Sequence, residues 1–209
     1  LHVLHFPYLL LHMIIKSDAR ETRQIKTGDE SSFKIKASAQ AFKILADNLY
    51  SNKIRAIVRE LICNAYDSHV ESGTSAAFQV ILPSYESENF TIRDFGTGIS
   101  HDFMMDGYTT LFHSTKEETN DQVGGFGLGR LSAFSYTDSY TVASDFDGKR
   151  RTYAVFLQSN GFPKITLMSE EDSDRTGFEV NIPVKEGDFT GFKRELVGFL
   201  THCEGVNYE

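Results

Sequence analysis

The chain has 209 residues, of which 40% are hydrophobic and 24% charged, with 16 Gly and 4 Pro. This composition is that of a globular domain, so it excludes disordered, collagen-like and low-complexity classes. The net charge of −8 gives no global electrostatic reason to coat nucleic acid or anionic lipid. The two cysteines, Cys63 and Cys203, form neither a disulfide framework nor a metal-ligand spacing, which favours a reducing compartment.

The first twelve residues carry no Lys, Arg, Asp or Glu. They are too few to span a bilayer, which needs roughly 20 apolar residues, and they lack the basic start and cleavage site of a signal peptide. Met13 follows at once, and the chain then becomes polar. We expect residues 1–12 to be a non-native leader and residues 13–209 to form one domain. A short amphipathic anchor is the alternative.

Hydrophobic periodicity predicts the secondary structure in chain order. The strongest helix signal covers Asn52–Glu71, and Gly73 follows it as a stop signal. Helices are also predicted over Ala39–Tyr50 and Phe189–Thr201. Short β-branched and aromatic runs predict strands at Phe33–Lys36, Phe78–Leu82, Phe90–Arg93, Tyr140–Ser144, Thr152–Leu157, Lys164–Met168 and Phe178–Ile182. This order predicts an α+β fold, with helices on one face of a mixed, mostly antiparallel sheet.

Between Gly98 and Gly129 the pattern dissolves into about thirty residues rich in Gly, Ser, Thr, Asn and Asp. Loops of this length inside a compact domain are usually functional lids or disordered segments. Because glycine clusters flank the stretch, we expect a lid.

Three polar residues of the long helix share one face. Glu60, Asn64 and Asp67 lie at i, i+4 and i+7, within about 60° of arc. A solvated helix face is the ordinary explanation of such residues taken alone. Asn, however, is a poor residue for a helix interior. A carboxylate one turn from a neutral amide suits a site where the acid activates water and the amide oxygen binds a hard cation.

Asp94, Gly96 and Gly98 directly follow a predicted strand. Asp and Gly are also the residues expected where a strand turns, so the pattern alone leaves both explanations open. A carboxylate at this position can accept a hydrogen bond from an exocyclic amine. The glycines then allow a flat ring to approach the backbone.

A second glycine cluster runs into an apparent helix, Arg130–Phe134. Its backbone N–H groups and the helix start would suit an anion, although a structural hinge explains the glycines as well. The cluster is neither a Walker loop nor G-x-G-x-x-G. Upstream, a Ser-Thr-Lys segment is either a surface loop or a source of hydroxyls and one charge near a phosphate. These two groups comprise Ser114, Thr115, Lys116, Gly124, Gly125, Phe126, Gly127, Leu128 and Gly129.

Taken together, these motifs are more specific than any one of them. Their order, from the Glu-Asn-Asp helix through Asp94-x-Gly96-x-Gly98 and the glycine cluster to Thr176, resembles the four-box signature of the GHKL ATPase superfamily. That group includes gyrase B subunits, heat-shock chaperones, sensor histidine kinases and MutL repair proteins. The Ser-Thr-Lys segment and the GFGLG run resemble the MutL-like branch most. More narrowly, FKILADNLYSNKIRAIVRELICNAYDSH, RDFGTGIS and GGFGLGRLSAFSYTD resemble the rIIA proteins of T-even-type bacteriophages.

The resemblance implies a Bergerat-type two-layer α/β sandwich with ATP between the helices and a long lid. It implies that Glu60 is the general base, that Asn64 is the one side chain on Mg²⁺, and that Asp67 supports the adenine side. Asp94 would accept from the adenine amino group, and Lys116 would lie near the γ-phosphate as a catalytic residue. The other nucleotide-binding residues that it implies are Gly96, Gly98, Ile99, Ser114, Thr115, Gly124–Gly129 and Thr176.

The function expected from the resemblance is Mg²⁺-dependent ATP binding and slow hydrolysis. Lid closure would drive homodimerisation, in a phage protein in the cytoplasm of the infected cell. A transducer-like domain after Glu209 would be absent or truncated, so weak turnover is expected. A non-catalytic nucleotide switch, a sensor kinase domain and a structural module are the alternatives. No transmembrane segment is predicted, whereas nucleic acid, peripheral membrane attachment and other protein partners stay open.

Overall fold

The computed structural model describes Phe42, Ile44 and residues 50–108 and 131–201, which belong to the compact unit Ala37–Glu209. The expectations for residues 1–36, including the leader and the first strand, lie outside the described residues. Of the predicted helix Ala39–Tyr50, Phe42 and Ile44 are helical, whereas Tyr50 is not.

Helix α1 spans Lys53–Ser72, within one residue of the prediction at each end. Asn52 caps its start, because the side-chain oxygen accepts a hydrogen bond from the Arg55 amide at 3.0 Å. Gly73 ends it in the left-handed conformation, with a φ of 68°. The remaining helices are α2 (Leu131–Phe134), α3 (Phe189–Leu200), a π-helix at Phe103–Gly107 and a 3₁₀ helix at Glu186–Asp188.

Six strands form one sheet: β1 (Gln79–Ile81), β2 (Asn89–Arg93), β3 (Ser139–Phe146), β4 (Lys149–Leu157), β5 (Pro163–Asp172) and β6 (Gly177–Pro183). Their order across the sheet is β1-β2-β6-β3-β4-β5. Every pairing among these described strands is antiparallel. The predicted α+β class with a mostly antiparallel sheet is confirmed. The last of the described strands, β6, lies inside the sheet between β2 and β3.

The core lies between the helices and one face of the sheet. Ile92 of β2, Val142 of β3 and Ile182 of β6 are buried there, together with Ile57 and Val58 of α1. Because successive strand residues point to opposite faces, the residues that alternate with them project from the other side of the sheet. The arrangement is the predicted sandwich of two layers.

The start of the predicted lid is regular, not irregular as expected. After Gly98 the chain enters the π-helix, whose first residue, Phe103, donates its amide to Ser100 Oγ at 3.2 Å. Met104 is fully buried in the core. The apolar Phe-Met-Met run therefore ties this stretch to the domain up to Tyr108.

Candidate functional site

The polar stripe of α1 is graded in exposure. Asn64 is exposed, Glu60 is half-buried, and Asp67 is only 3% exposed. A fully solvated face, which is the ordinary explanation of the stripe, is therefore wrong for Asp67. The next residue on α1 after Asp67 is Ser68, whose hydroxyl donates to Asp94 at the end of β2.

Glu60 lies beside one guanidinium group and near one phenol. Arg59 Nη2 donates to Glu60 Oε1 at 2.8 Å. Burial, reinforced by the charge of Glu60, raises the pKa of Tyr50 to about 12, so this phenol stays protonated at neutral pH. To take a proton from water, Glu60 would use its second oxygen or turn away from Arg59.

Asn64 is the residue implied for a magnesium ion, and its side chain is exposed one turn beyond Glu60. Within residues 50–108 and 131–201, no three His, Cys, Asp or Glu side chains are grouped so that they could hold a metal ion. Such a donor set does not make a protein cage. It fits an ion that takes one amide oxygen and completes its shell with phosphates and water.

The Asp94 carboxylate is the centre of the best-defined cluster. It is 6% exposed at the end of β2. Three groups donate to its Oδ1: Ser68 Oγ at 3.0 Å, the Gly96 amide at 2.9 Å and the Phe178 amide at 3.3 Å. No residue in the described part of the chain donates to Oδ2. The carboxylate is thus held by α1, by its own turn and by β6, and among the described residues its Oδ2 has no donor.

The charge of Asp94 is costly to bury. Burial raises the pKa of this carboxyl, and the hydrogen bonds from Gly96, Ser68 and Phe178, together with the nearby His69, oppose the rise only in part. A buried carboxylate whose charge is incompletely compensated gains from a further hydrogen-bond donor. A ligand amine at Oδ2 would supply it.

The glycines around Asp94 allow close backbone packing. At Gly98, with a φ of 74°, a Cβ would collide with the Asp145 carbonyl oxygen of β3. At Gly96 it would collide with the Ser68 hydroxyl, and at Gly177, with a φ of 123°, with the Asp94 carbonyl oxygen. The space that these glycines leave is therefore filled by the protein itself. The prediction that Gly98 leaves room for a base has no support from this packing.

Two more predicted residues lie on the rim of the same cluster. Ile99 is bonded through its backbone to Ser144 Oγ, which accepts from the Ile99 amide and donates to its carbonyl, both at 2.7 Å. Thr176 is exposed and directly precedes Gly177, whose backbone packs on Asp94. The structure thus brings Asp94, Gly96, Gly98, Ile99 and Thr176 together at one end of the sheet. Their roles in nucleotide binding stay predictions.

Sequence reasoning missed Ser68 and His69. His69 is 8% exposed, and its Nε2 accepts the Phe95 amide at 2.9 Å. Burial lowers the pKa of His69, and the Asp94 charge and a bond to the Ala76 backbone offset this in part. The one indication in the sequence was that these two residues directly follow Asp67 on α1.

Sequence reasoning also missed a charge network on the sheet face opposite the helices. Arg93 Nη2 and Arg150 Nη1 both donate to Asp145 Oδ2, at 2.8 and 2.7 Å, and both guanidinium groups pair with Glu179. Burial of Asp145 opposes its ionisation, but the Ser173 hydrogen bond and the two arginines outweigh this and lower its pKa. The network joins β2, β6, β3 and β4 at the strand ends nearest Asp94.

The remaining predicted site residues lie outside the described residues: Ser114, Thr115, Lys116, Gly124, Gly125, Phe126, Gly127, Leu128 and Gly129. The structure therefore defines only the helix and strand-end parts of the site. None of the helices in the described ranges has the length and apolar character needed to cross a membrane.

Known proteins resemble this chain over the part that contains α1, the Asp94 turn and Thr176. Residues 50–177 match the family described as "Histidine kinase-, DNA gyrase B-, and HSP90-like ATPase". The chain is similar to the chaperone protein HtpG of Nitrosospira multiformis, with 31% identity over 172 residues, covering 71% of this chain and 27% of the relative. HtpG of Rickettsia typhi is 27% identical over 183 residues, covering 75% and 29%. The chain spans about a quarter of the length of these relatives. The narrower MutL-like and rIIA-like placements stay predictions.

Proposed function

The chain belongs to the histidine kinase-, DNA gyrase B- and HSP90-like ATPase family, and on this premise we propose that it binds ATP and hydrolyses it slowly to ADP and phosphate. The observation that carries the proposal is the Asp94 carboxylate. Three protein donors converge on Oδ1, and no described residue donates to Oδ2. Adenine carries an exocyclic amine that can donate to this oxygen.

The same carboxylate gives the proposal its base selectivity. Guanine presents a carbonyl oxygen where adenine presents an amino group, and a carbonyl facing a carboxylate is repelled. Because Asp94 is buried, that repulsion is weakly screened. Thr176, on the rim beside Gly177, would contact the adenine edge.

The phosphates would lie toward Glu60 and Asn64 on α1. Glu60 would orient and deprotonate the attacking water as general base. Mg²⁺, when bound, would neutralise charge on the phosphates, and Asn64 would be its one protein side chain. Gly124–Gly129 and Ser114–Lys116 would wrap the phosphates from the lid.

A non-catalytic ATP-binding switch is the second candidate, and one contact favours it. Glu60 Oε1 is engaged by Arg59 at 2.8 Å, so the base is held in an ion pair. If that pair persists with nucleotide bound, the pocket binds without useful turnover. Single-turnover phosphate release from the wild-type chain and from Glu60→Gln distinguishes the two. The ATPase predicts a difference, whereas the switch predicts none.

Calorimetric titration tests nucleotide binding. We expect the wild-type chain to bind ATP and a non-hydrolysable ATP analogue, and to bind both more tightly with Mg²⁺. We expect no binding of GTP. Asp94→Asn should abolish binding because its amide opposes the adenine amine. Asp147→Asn is the matched control: Asp147 is exposed in the β3–β4 turn with a φ of 49°, which Asn tolerates. Equal affinity of Asp94→Asn and wild type would contradict the proposal.

Lid closure coupled to homodimerisation is part of the proposal. It predicts that particle mass doubles with the non-hydrolysable analogue and Mg²⁺, and not with ADP. Light scattering at several protein concentrations measures this. An unchanged mass at saturating analogue would remove dimerisation and leave ATP binding standing.

An rIIA-like role in a phage-infected cell is the most specific part of the proposal. Its support is the resemblance of three sequence stretches, which include α1 and the Asp94 turn. The location that we propose with this role is the cytoplasm of the infected host. Fractionation of infected and uninfected cells with an antibody to this chain tests it. Detection in uninfected host cells would contradict the phage origin.

A further inference from the structure

Two consecutive residues of α1 hold the turn that carries Asp94. Ser68 donates to Asp94 Oδ1 at 3.0 Å, and His69 Nε2 accepts the Phe95 amide at 2.9 Å. The first contact fixes the carboxylate and the second fixes the backbone one residue on. The turn therefore has two anchors on the helix that also carries Glu60 and Asn64.

The bond to Phe95 defines the protonation of His69. An amide N–H can donate to Nε2 only when that nitrogen carries no proton. The proton of the neutral ring then lies on Nδ1. Burial of the ring lowers its pKa below the ordinary 6.5 and favours this neutral form.

Among the described residues, one charged group acts on His69. From the end of β2, Asp94 faces the ring and partly restores its pKa. Arg93 lies beyond it, with its guanidinium 5.3 Å from the centre of the Phe95 ring. The rings of Phe78, before β1, and Phe95 lie 5.9 and 6.4 Å from the imidazole and add no charge. From the segment after α1, the backbone of Ala76 also faces His69 and adds no charge.

We propose that His69 is a positioning residue for adenine binding, because its unprotonated Nε2 holds the Phe95 amide and so fixes the direction of the Asp94 carboxylate. The proposal rests on the proposed function. A protonated ring presents N–H to the Phe95 N–H, and the two donors repel. The turn then loses one of its two anchors, and Oδ2 leaves the position that receives the amine. Adenine affinity therefore falls when His69 takes up a proton.

Three variants separate this role from simple packing. His69→Gln keeps a neutral acceptor that does not titrate. His69→Phe keeps an aromatic ring of similar size and removes the acceptor. His101→Gln is the matched control, because His101 also contacts a side chain, Tyr153 OH at 3.0 Å, but lies outside the Asp94 turn. Circular dichroism and thermal melts establish that each variant is folded.

Affinity for the non-hydrolysable ATP analogue is measured by calorimetry from pH 8 to pH 5. For the wild type we expect a loss of about tenfold as pH falls below 6.5, the loss of one hydrogen bond. His101→Gln should show the same profile. His69→Gln should bind like the wild type at pH 8. Because Gln does not titrate, its affinity should fall less than that of the wild type as the pH is lowered. His69→Phe should bind about tenfold more weakly already at pH 8.

Asp94 has a raised pKa and adds its own loss at low pH, so the difference between the wild-type and His69→Gln profiles is the quantity that decides. Identical profiles, or wild-type affinity in His69→Phe at pH 8, would overturn the inference and leave the proposed function intact. If the wild type binds no adenine nucleotide at pH 8, the proposed function fails instead. In that case the hydrogen-exchange protection factor of the Phe95 amide tests the role of His69. Equal protection factors at pH 8 and pH 5 would overturn the inference.

Discussion

Gly98→Ala should destabilise the domain far more than Gly148→Ala, although the two glycines have the same φ. Both have a φ of 74°. Placing an L side chain in this region costs about 1 kcal/mol at either position. Gly148, in the β3–β4 turn, has no atom within 4 Å of where a Cβ would lie. Gly148→Ala therefore isolates the conformational cost.

At Gly98 the added methyl group would meet protein backbone. It would lie 3.0 Å from the Asp145 carbonyl carbon, closer still to its oxygen, and 3.1 Å from the Gly177 oxygen. The chain must retreat by roughly 1 Å in a close-packed interior. That movement breaks the two 2.7 Å bonds between Ile99 and Ser144, each contributing about 1 kcal/mol. The total for Gly98→Ala is about 3 kcal/mol.

Thermal melts of the unliganded variants measure the difference. For a domain of this size, about 1 kcal/mol lowers Tm by about 3 °C, so we expect about 3 °C for Gly148→Ala and about 9 °C for Gly98→Ala. Calorimetry should also show weaker ATP binding for Gly98→Ala alone. Equal Tm losses would refute the argument, because they would mean that the contact with β3 has no energetic consequence.

Four further outcomes are expected. Glu60→Gln should keep ATP binding and lower single-turnover phosphate release by about 100-fold or more, measured by a phosphate sensor. Because burial raises the pKa of Asp94, stability falls as pH rises from the ordinary pKa of the carboxyl to the raised one, so Asp94→Asn should raise Tm at pH 7 and not at pH 3. Arg93→Met removes a partner from the fully buried Asp145 and should cost about 3 kcal/mol in urea unfolding. Arg151→Met breaks the more exposed Arg151–Glu170 pair and should cost at most about 1 kcal/mol.

The local elements could be predicted because their signals are local. The limits of α1 follow from apolar spacing and from Asn52 and Gly73, which lie in the same stretch of sequence. Each strand could be located from a short run of residues. The strand order could not be predicted, because β6 pairs with β2 across a gap of more than 80 residues. Local periodicity carries no information about which distant strands pair.

The site was predictable only where one residue type carried the chemistry. Asp94 stands at a strand end, where it is a candidate for binding an amine as well as an expected turn residue. Ser68 and His69 are ordinary residues near the end of a helix, and their contacts with the Asp94 turn depend on how α1 crosses the sheet. Arg93 and Asp145 are 52 positions apart and meet only through sheet register. The roles of all the predicted site residues, Asp94 included, stay predictions.

The position of β6 has a consequence for synthesis on the ribosome. This strand is translated after the other five, yet it must insert between β2 and β3 before the sheet is continuous. It also brings the Phe178 amide to Asp94. A nascent chain that ends before Gly177 therefore has an unjoined sheet, with the edges of β2 and β3 that β6 later covers both exposed, and aggregation and chaperone capture compete with folding in this state. If the proposed site binds nucleotide, it lacks the Phe178 donor to Asp94 until β6 has been made.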